Sequence, residues 1–211
     1  MRMKKNQHYA SESLAGRRLD PNLRRAQLLE HAISAFADAG IERAAHADVA
    51  ARANVSTPTV FKYFPSREVL VDAVLTEIEQ TFEGMRSQLI TQAITTPQMI
   101  RAIAATLSNL CTRRPDLMKV ALTWSVTFTP IRARYLSFEN RLLDILPTTY
   151  NAIILSEADK RIIYATANTI IRMHFDGTDT AVRQDFIERV CELMDRKIPE
   201  DETLFSKVAN R

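Results

Sequence analysis

The chain has 211 residues, of which 46% are hydrophobic and 25% charged, with four glycines and two cysteines; this suits an ordinary globular fold and excludes a disulfide-stapled or low-complexity one. Its net charge of +3 is small but uneven, because Arg2, Lys4, Lys5, Arg17, Arg18, Arg24 and Arg25 outnumber Glu12 and Asp20 in the first 25 residues, a net +5 that leaves −2 for the rest. A basic leader on a near-neutral body suits contact with a polyanion, although a solvated tail has the same composition.

No run alternates apolar and polar residues as a half-buried strand does, and the periodicity is helical nearly throughout. A first helix is expected over residues 21–39, with Leu29, Ile33 and Phe36 on one face and Gly40 at its C-terminal stop. A short second helix spans about 47–53, and Ser56 caps a third that runs to Tyr63, with Pro58 tolerated in its first turn. Phe64, Pro65 and Ser66 end it and open a long fourth helix over 67–91, whose apolar face is Leu70, Val74, Leu75, Ile78 and Phe82. Further helices follow at 97–112, 114–127 and 132–155, the last kinked or divided at Pro147, and then at 156–175 and 180–197, joined at Gly177. The expected architecture is all-α with about nine helices. It comprises a basic arm (1–20), a three-helix unit (21–66) and a larger helical domain (67–211).

The most informative stretch is HADVAARANVSTPTVFKYFPSR, from His46 to Arg67. Two short helices separated by a tight turn, with the small Ala50 and Ala53 where they cross and Val49, Val55 and Val60 behind them, form a helix-turn-helix that presents its second helix to a DNA major groove. Asn54 suits the left-handed turn position. Phe61 and Phe64 are expected to anchor the recognition helix through Phe36 and Ile33, leaving Thr57, Pro58, Thr59, Lys62 and Tyr63 outward or flanking the exposed side. Threonine and proline bring apolar surface to thymine methyls, Lys62 reaches guanine or the backbone, and Tyr63 suits a phosphate. His46, at the start of the second helix, directs free N–H groups at another phosphate.

The run NVSTPTVFKYFPSREVLVDAVL resembles the signature of the TetR family of transcription regulators, and GIERAAHADVAARANVSTPTVFKYFPSREVLVDAVL is similar to its LuxR/HapR/SmcR branch, the quorum-sensing master regulators. The triplets at His46–Asp48, Thr59–Phe61 and Tyr63–Pro65 carry the closer match, with a weaker echo at Met118–Ser125. Pro58 and Lys62 depart from that branch, which usually has alanine and asparagine there, and Ala44 and Ala45 stand in place of its glycine pair, so the operator is expected to differ. The resemblance implies that Arg17 and Arg18 enter the minor groove. It also implies pairing of the last two helices with a second subunit, for which Ile163, Ala167, Ile170, Ile171, Phe186, Val190, Leu193 and Met194 supply apolar stripes.

Cys111, Met118, Trp124, Phe128, Tyr135 and Phe138, with Asn140 as a polar contact, are candidates to line a cavity for a small apolar effector, plain core packing being the competing reading. The expected partners are therefore a double-stranded DNA operator, a second copy of the chain and such an effector. The chain has no GxSxG elbow, Gly-rich phosphate loop or HExxH. Its histidines His8, His31, His46 and His174 are dispersed, so no enzyme, cofactor or metal is expected. Cys111 and Cys191 are far apart and outside any CxxC pair, which suits a reducing cytoplasm, and no apolar run is long enough for a signal peptide core or a membrane span. A small-molecule-binding helical protein with secondary or lost DNA binding is the alternative.

Overall fold

The computed structural model describes residues 20–90, 95–126, 131–146, 149–150 and 153–195. Among them are nine helices: α1 (Pro21–Ala39), α2 (His46–Ala53), α3 (Thr57–Tyr63), α4 (Arg67–Ile90), α5 (Thr96–Arg113), α6 (Pro115–Ser125), α7 (Arg132–Ile145), α8 (Glu157–Phe175) and α9 (Thr180–Asp195). The seventh helix is shorter than its sequence pattern suggests. It stops at Ile145, and beyond Pro147 a two-residue antiparallel ladder pairs Thr149 with Ile154 and Tyr150 with Ile153. Proline disfavours the helical conformation of the residue before it, so the chain leaves the helix there instead of bending within it.

Local signals account for most helix ends. Asp20 caps α1 by accepting from the Asn22 amide at 2.8 Å, and Ser156 forms a reciprocal capping box with Asp159 at the start of α8. Gly40 ends α1 with φ of 86° and ψ of 154°, a positive φ suited to glycine but extended rather than left-handed helical. Ser56 stands in N-cap geometry before α3, yet its hydroxyl bonds the Thr59 Oγ1 at 2.8 Å and not a backbone amide.

The core is continuous across the boundary expected near Arg67. Leu28, Ile33 and Phe36 of α1, Val49 of α2, and Val60 and Phe64 at α3 share one cluster with Leu70, Val74 and Ile78 of α4, which continues through Leu117, Met118 and Trp124 of α6. The N-terminal half of α4 is thus the floor of the three-helix unit, and α1 also packs directly on α6. A second cluster joins α5, α8 and α9 through Ile100, Ile163, Ile170, Ile187 and Val190.

Among the described residues, polar links cross between the three-helix unit with α4 and the rest of the body. Arg114, at the α5–α6 corner, donates to Glu30 of α1 and Glu77 of α4, both at 2.7 Å, and Ser34 of α1 bonds Asp116 of α6 at 2.6 Å. On the other side Arg134 of α7 reaches Asp72, Thr76 and Glu79, successive turns of α4.

Candidate nucleic-acid interface

The turn between α2 and α3 is built by one residue. Asn54 adopts φ of 52° and ψ of 48°, the one positive-φ non-glycine among the described residues, and its amide closes back onto Ala50 and Ala51. Asparagine tolerates that conformation better than most side chains, so the chain reverses within Asn54–Ser56 and α3 leaves at a fixed angle. Ala50 is buried and Ala53 half-buried at the crossing, as small residues must be where two backbones approach.

Residue by residue, α3 divides cleanly. Val60 and, just beyond the helix, Phe64 are fully buried, while Pro58, Phe61 and Lys62 are exposed and Thr57, Thr59 and Tyr63 half-buried. The outward set therefore contains Thr57, Pro58, Thr59, Lys62 and Tyr63. The sequence expectation for Phe61 is corrected: it is 44% exposed and does not anchor α3 to α1. Of the two phenylalanines Phe64 alone joins the Phe36 and Ile33 cluster, beside Val60 one helical turn earlier, because residues four apart share a side of the helix and Phe61 does not fall on it.

Phe61 instead lies flat against the His46 ring, with centroids 3.9 Å apart and planes 7° from parallel. His46 itself is 5% exposed, and its Nε2 bonds the Phe64 carbonyl oxygen at 2.7 Å. The imidazole is thus a strut between α2 and the end of α3, and only the backbone N–H groups of its helix turn remain from the expected phosphate contact. Ahead of it the Asp48 carboxylate accepts from the Ala45 amide at 2.8 Å. Arg17 and Arg18 lie outside the described residues.

Sequence reasoning missed two supporting arginines. Arg25 of α1 stacks its guanidinium 5.0 Å from the Phe64 ring centroid, and Arg67 donates to the Ile41 and Glu42 carbonyls at 2.5 and 2.6 Å. Arg67 thereby ties the loop before α2 to the start of α4. Its signal was present as a basic residue opening α4, but its partners are carbonyls, which leave no trace in a sequence.

The cavity and the expected pairing helices are placed differently from their sequence assignments. A cavity of about 90 Å³ lies among α4, α5, α7 and α8, and of the named candidates only Tyr135 and Phe138 line it. Cys111, Met118 and Trp124 are buried in the solid core behind it, Asn140 is exposed, and Phe128 lies outside the described residues. Helical phase explains Asn140: two residues from Phe138 is about 200° around the helix, whereas Tyr135, Phe138 and Leu142 recur on one side. The polar residue that does line the cavity is Asn168 on α8, with Tyr164 beside it.

Ile163, Ala167 and Ile171 also line this cavity, and Ile170 and Val190 are buried in the protomer's own core, so five of the residues expected to pair subunits face inward. Phe186 and Met194 are half-buried and Leu193 is 63% exposed. The apolar residues that α8 and α9 turn outward are Ile162 (48% exposed), Val182 (55%) and Leu193.

Residues 28–74, which hold the turn, α3 and the first part of α4, match the family of bacterial regulatory proteins, tetR family. By this N-terminal unit the chain is similar to the tetR family. It is 40% identical over 110 residues to the HTH-type transcriptional regulator LuxR of Vibrio harveyi, a match spanning 52% of this chain and 54% of that protein, so the chain spans about half the length of this relative. This likeness agrees with the resemblance carried by the stretch from His46 to Arg67. The fold extends further than the sequence likeness. A TetR-like transcriptional regulator from Rhodococcus sp. RHA1 superposes with a TM-score of 0.62 at 17% identity, covering 85% of this chain and all of the other. The fatty acid degradation regulator FadR from Bacillus halodurans gives 0.60 at 15% identity, covering 80% and 96%. At that identity these TetR-like structures speak for the fold alone. No described helix is long and apolar enough to cross a membrane.

Proposed function

We propose that the chain is a sequence-specific, DNA-binding transcription regulator that reads a pseudo-palindromic operator as a homodimer and performs no catalysis. The observation that carries this reading is the division of α3: Val60 and Phe64 are locked into the core while Pro58, Lys62 and part of Tyr63 remain open to a groove. Thr57 and Thr59 supply methyls and hydroxyls at the helix start, Lys62 a mobile cation, and Tyr63 a hydroxyl for a phosphate. The N-terminal segment with Arg17 and Arg18 adds charge for a neighbouring minor groove.

One seven-residue helix makes too few contacts for specificity, and two presented one turn of DNA apart make enough. Ile162, Val182 and Leu193, with Phe186 and Met194 beside them, give α8 and α9 an apolar outer surface for a second copy. The cavity behind α4 is then an effector site: a ligand that displaces Phe82 or Met85 moves the helix on which the reading unit stands. A quorum-sensing or comparable global role in the cytoplasm follows the likeness to LuxR.

Fluorescence anisotropy against genomic fragments at several salt concentrations tests the reading. Selective binding that weakens steeply with salt supports it, and equal weak affinity for every fragment removes it in favour of a ligand-binding protein without a DNA target.

A further inference from the structure

The cavity among α4, α5, α7 and α8 has walls that discriminate by charge. Phe82, Leu107, Phe138 and Ile171 typify its lining, and among the described residues no Lys, Arg, Asp or Glu takes part in it. The polar atoms are gathered at one place, where the Tyr135 and Tyr164 hydroxyls hydrogen-bond to each other and Asn168 joins them in the lining. Burial pushes both phenols above their ordinary range, so the pair is uncharged throughout the physiological pH range.

Two hydroxyls bonded to each other retain one O–H and several lone pairs, and the amide adds a carbonyl acceptor. This end can accept or donate a hydrogen bond but cannot neutralise a charge. Glu139 acts electrostatically on both phenols and is unfavourable to an anion. Of the neighbouring cations, Arg132 lies 5.0 Å from the Tyr135 ring centroid and donates to the Ser125 carbonyl at 2.6 Å, and Arg141 lies 5.9 Å from the Phe138 ring centroid; neither is part of the lining. A carboxylate or ammonium taken into such a space loses its hydration with no counter-charge in return.

We propose that this cavity binds a compact, uncharged molecule of about one ring, carrying a single hydroxyl or carbonyl that hydrogen-bonds the Tyr135, Tyr164 and Asn168 cluster, and that it rejects carboxylates and amines. The inference rests on reading the cavity as an effector site and names the chemistry of what fills it. Its size agrees. At about 90 Å³ the cavity is smaller than the roughly 150 Å³ of an engineered apolar cavity that admits benzene, so even one ring presses on Phe82 and Met85 of α4.

Trp124 is the chain's one tryptophan, stacked on Phe138 and edge-on to Tyr135, and it reports directly on the cavity wall. The full chain, without DNA, is titrated with benzyl alcohol, toluene, benzoate and benzylammonium, which share a ring and differ in the attached group. Trp124 emission and Tm are followed. Benzyl alcohol is expected to give a saturable change, toluene to bind about ten-fold more weakly, and the two ions to give no saturable change over the same range. Tyr164→Phe and Asn168→Leu bring benzyl alcohol down to the level of toluene, and Ala167→Phe, or Ala121→Met should the first fail to fold, abolishes binding of both. Binding of benzoate or benzylammonium as tight as benzyl alcohol overturns the proposal, as does an unchanged preference in both polar variants or the absence of saturable binding by any ring. Because no operator is present, these outcomes are independent of whether the chain binds DNA.

Discussion

The Arg134 guanidinium of α7 holds Glu79 of α4 through two parallel hydrogen bonds, Nε to Oε1 at 2.8 Å and Nη2 to Oε2 at 3.2 Å. It also reaches Asp72 at 2.6 Å and Thr76 at 2.9 Å, so one side chain spans two turns of α4. The next residue along α7, Tyr135, belongs to the cavity wall. Cavity and reading unit are therefore joined through two adjacent residues of one helix and the helix they touch. Arg134→Ala leaves the part-buried Glu79 without its bidentate partner and is expected to cost about 1–3 kcal/mol, read as a fall in the unfolding midpoint. Arg134→Lys does not restore the loss, because an ammonium cannot make the paired contact. A midpoint within error of the parent shows that this clamp does not hold α4.

His46 is expected to be structural. His46→Ala removes the bond to the Phe64 carbonyl and the surface on which Phe61 lies. The buried carbonyl is left unsatisfied, at a cost of about 1–3 kcal/mol. Thermal unfolding of the DNA-free chain measures it. An unaltered midpoint with weakened operator binding instead assigns the imidazole to DNA contact.

Asn54 offers a test of the turn itself. Its φ of 52° suits glycine equally, so Asn54→Gly is expected to change stability by less than about 1 kcal/mol, whereas Asn54→Val forces a β-branched side chain into the left-handed region at about 1–2 kcal/mol or more. Equal stabilities for the two variants show that the turn is free to rearrange.

The helices, the turn and the outward set on α3 were legible because each depends on local chemistry: caps, a left-handed asparagine, small residues at a crossing and helical spacing. The cavity was not, because membership depends on which side of the helix a residue takes. Ile163, Ala167 and Ile171 read as part of a pairing stripe, since α8 is apolar around much of its circumference and periodicity cannot say which side meets a partner; Tyr164 and Asn168 between them carried no signal. Phe61 was misplaced for a related reason: an aromatic beside a buried one reads as core, and only the coordinates show the His46 ring that covers it. The arginine links of Arg67, Arg114 and Arg134 join residues distant in sequence and leave no periodic signal.

The two cysteines are expected to be inert in the folded chain. Burial pushes the Cys111 thiol up to about 11, and burial also raises Cys191, whose Sγ lies 3.6 Å from the Pro97 carbonyl oxygen. The neutral thiol is thus the form the fold prefers. Its contribution to stability is complete below the unfolded thiol pKa of about 8.5 and is lost as pH rises through about 11 for Cys111. A chromogenic disulfide reagent at pH 8 is expected to titrate no thiol in the native chain and both in guanidinium. Rapid reaction of one thiol without denaturant shows that its pocket opens.

Lys62 offers a test of the proposed reading of DNA by α3. It is exposed, and the described structure gives it neither an ion pair nor a hydrogen bond that would hold it back from a groove. Lys62→Ala is expected to weaken operator binding by about 1–3 kcal/mol if the ammonium meets a base edge, with the loss greatest for fragments carrying guanine at the contacted position. If it meets a phosphate, the loss is uniform across fragments and the slope of log affinity against log salt falls by about one. Anisotropy titrations of parent and variant on two operators that differ at one base pair separate the two outcomes. A variant that binds both like the parent, with the same salt slope, places the reading surface elsewhere than on the outer side of α3.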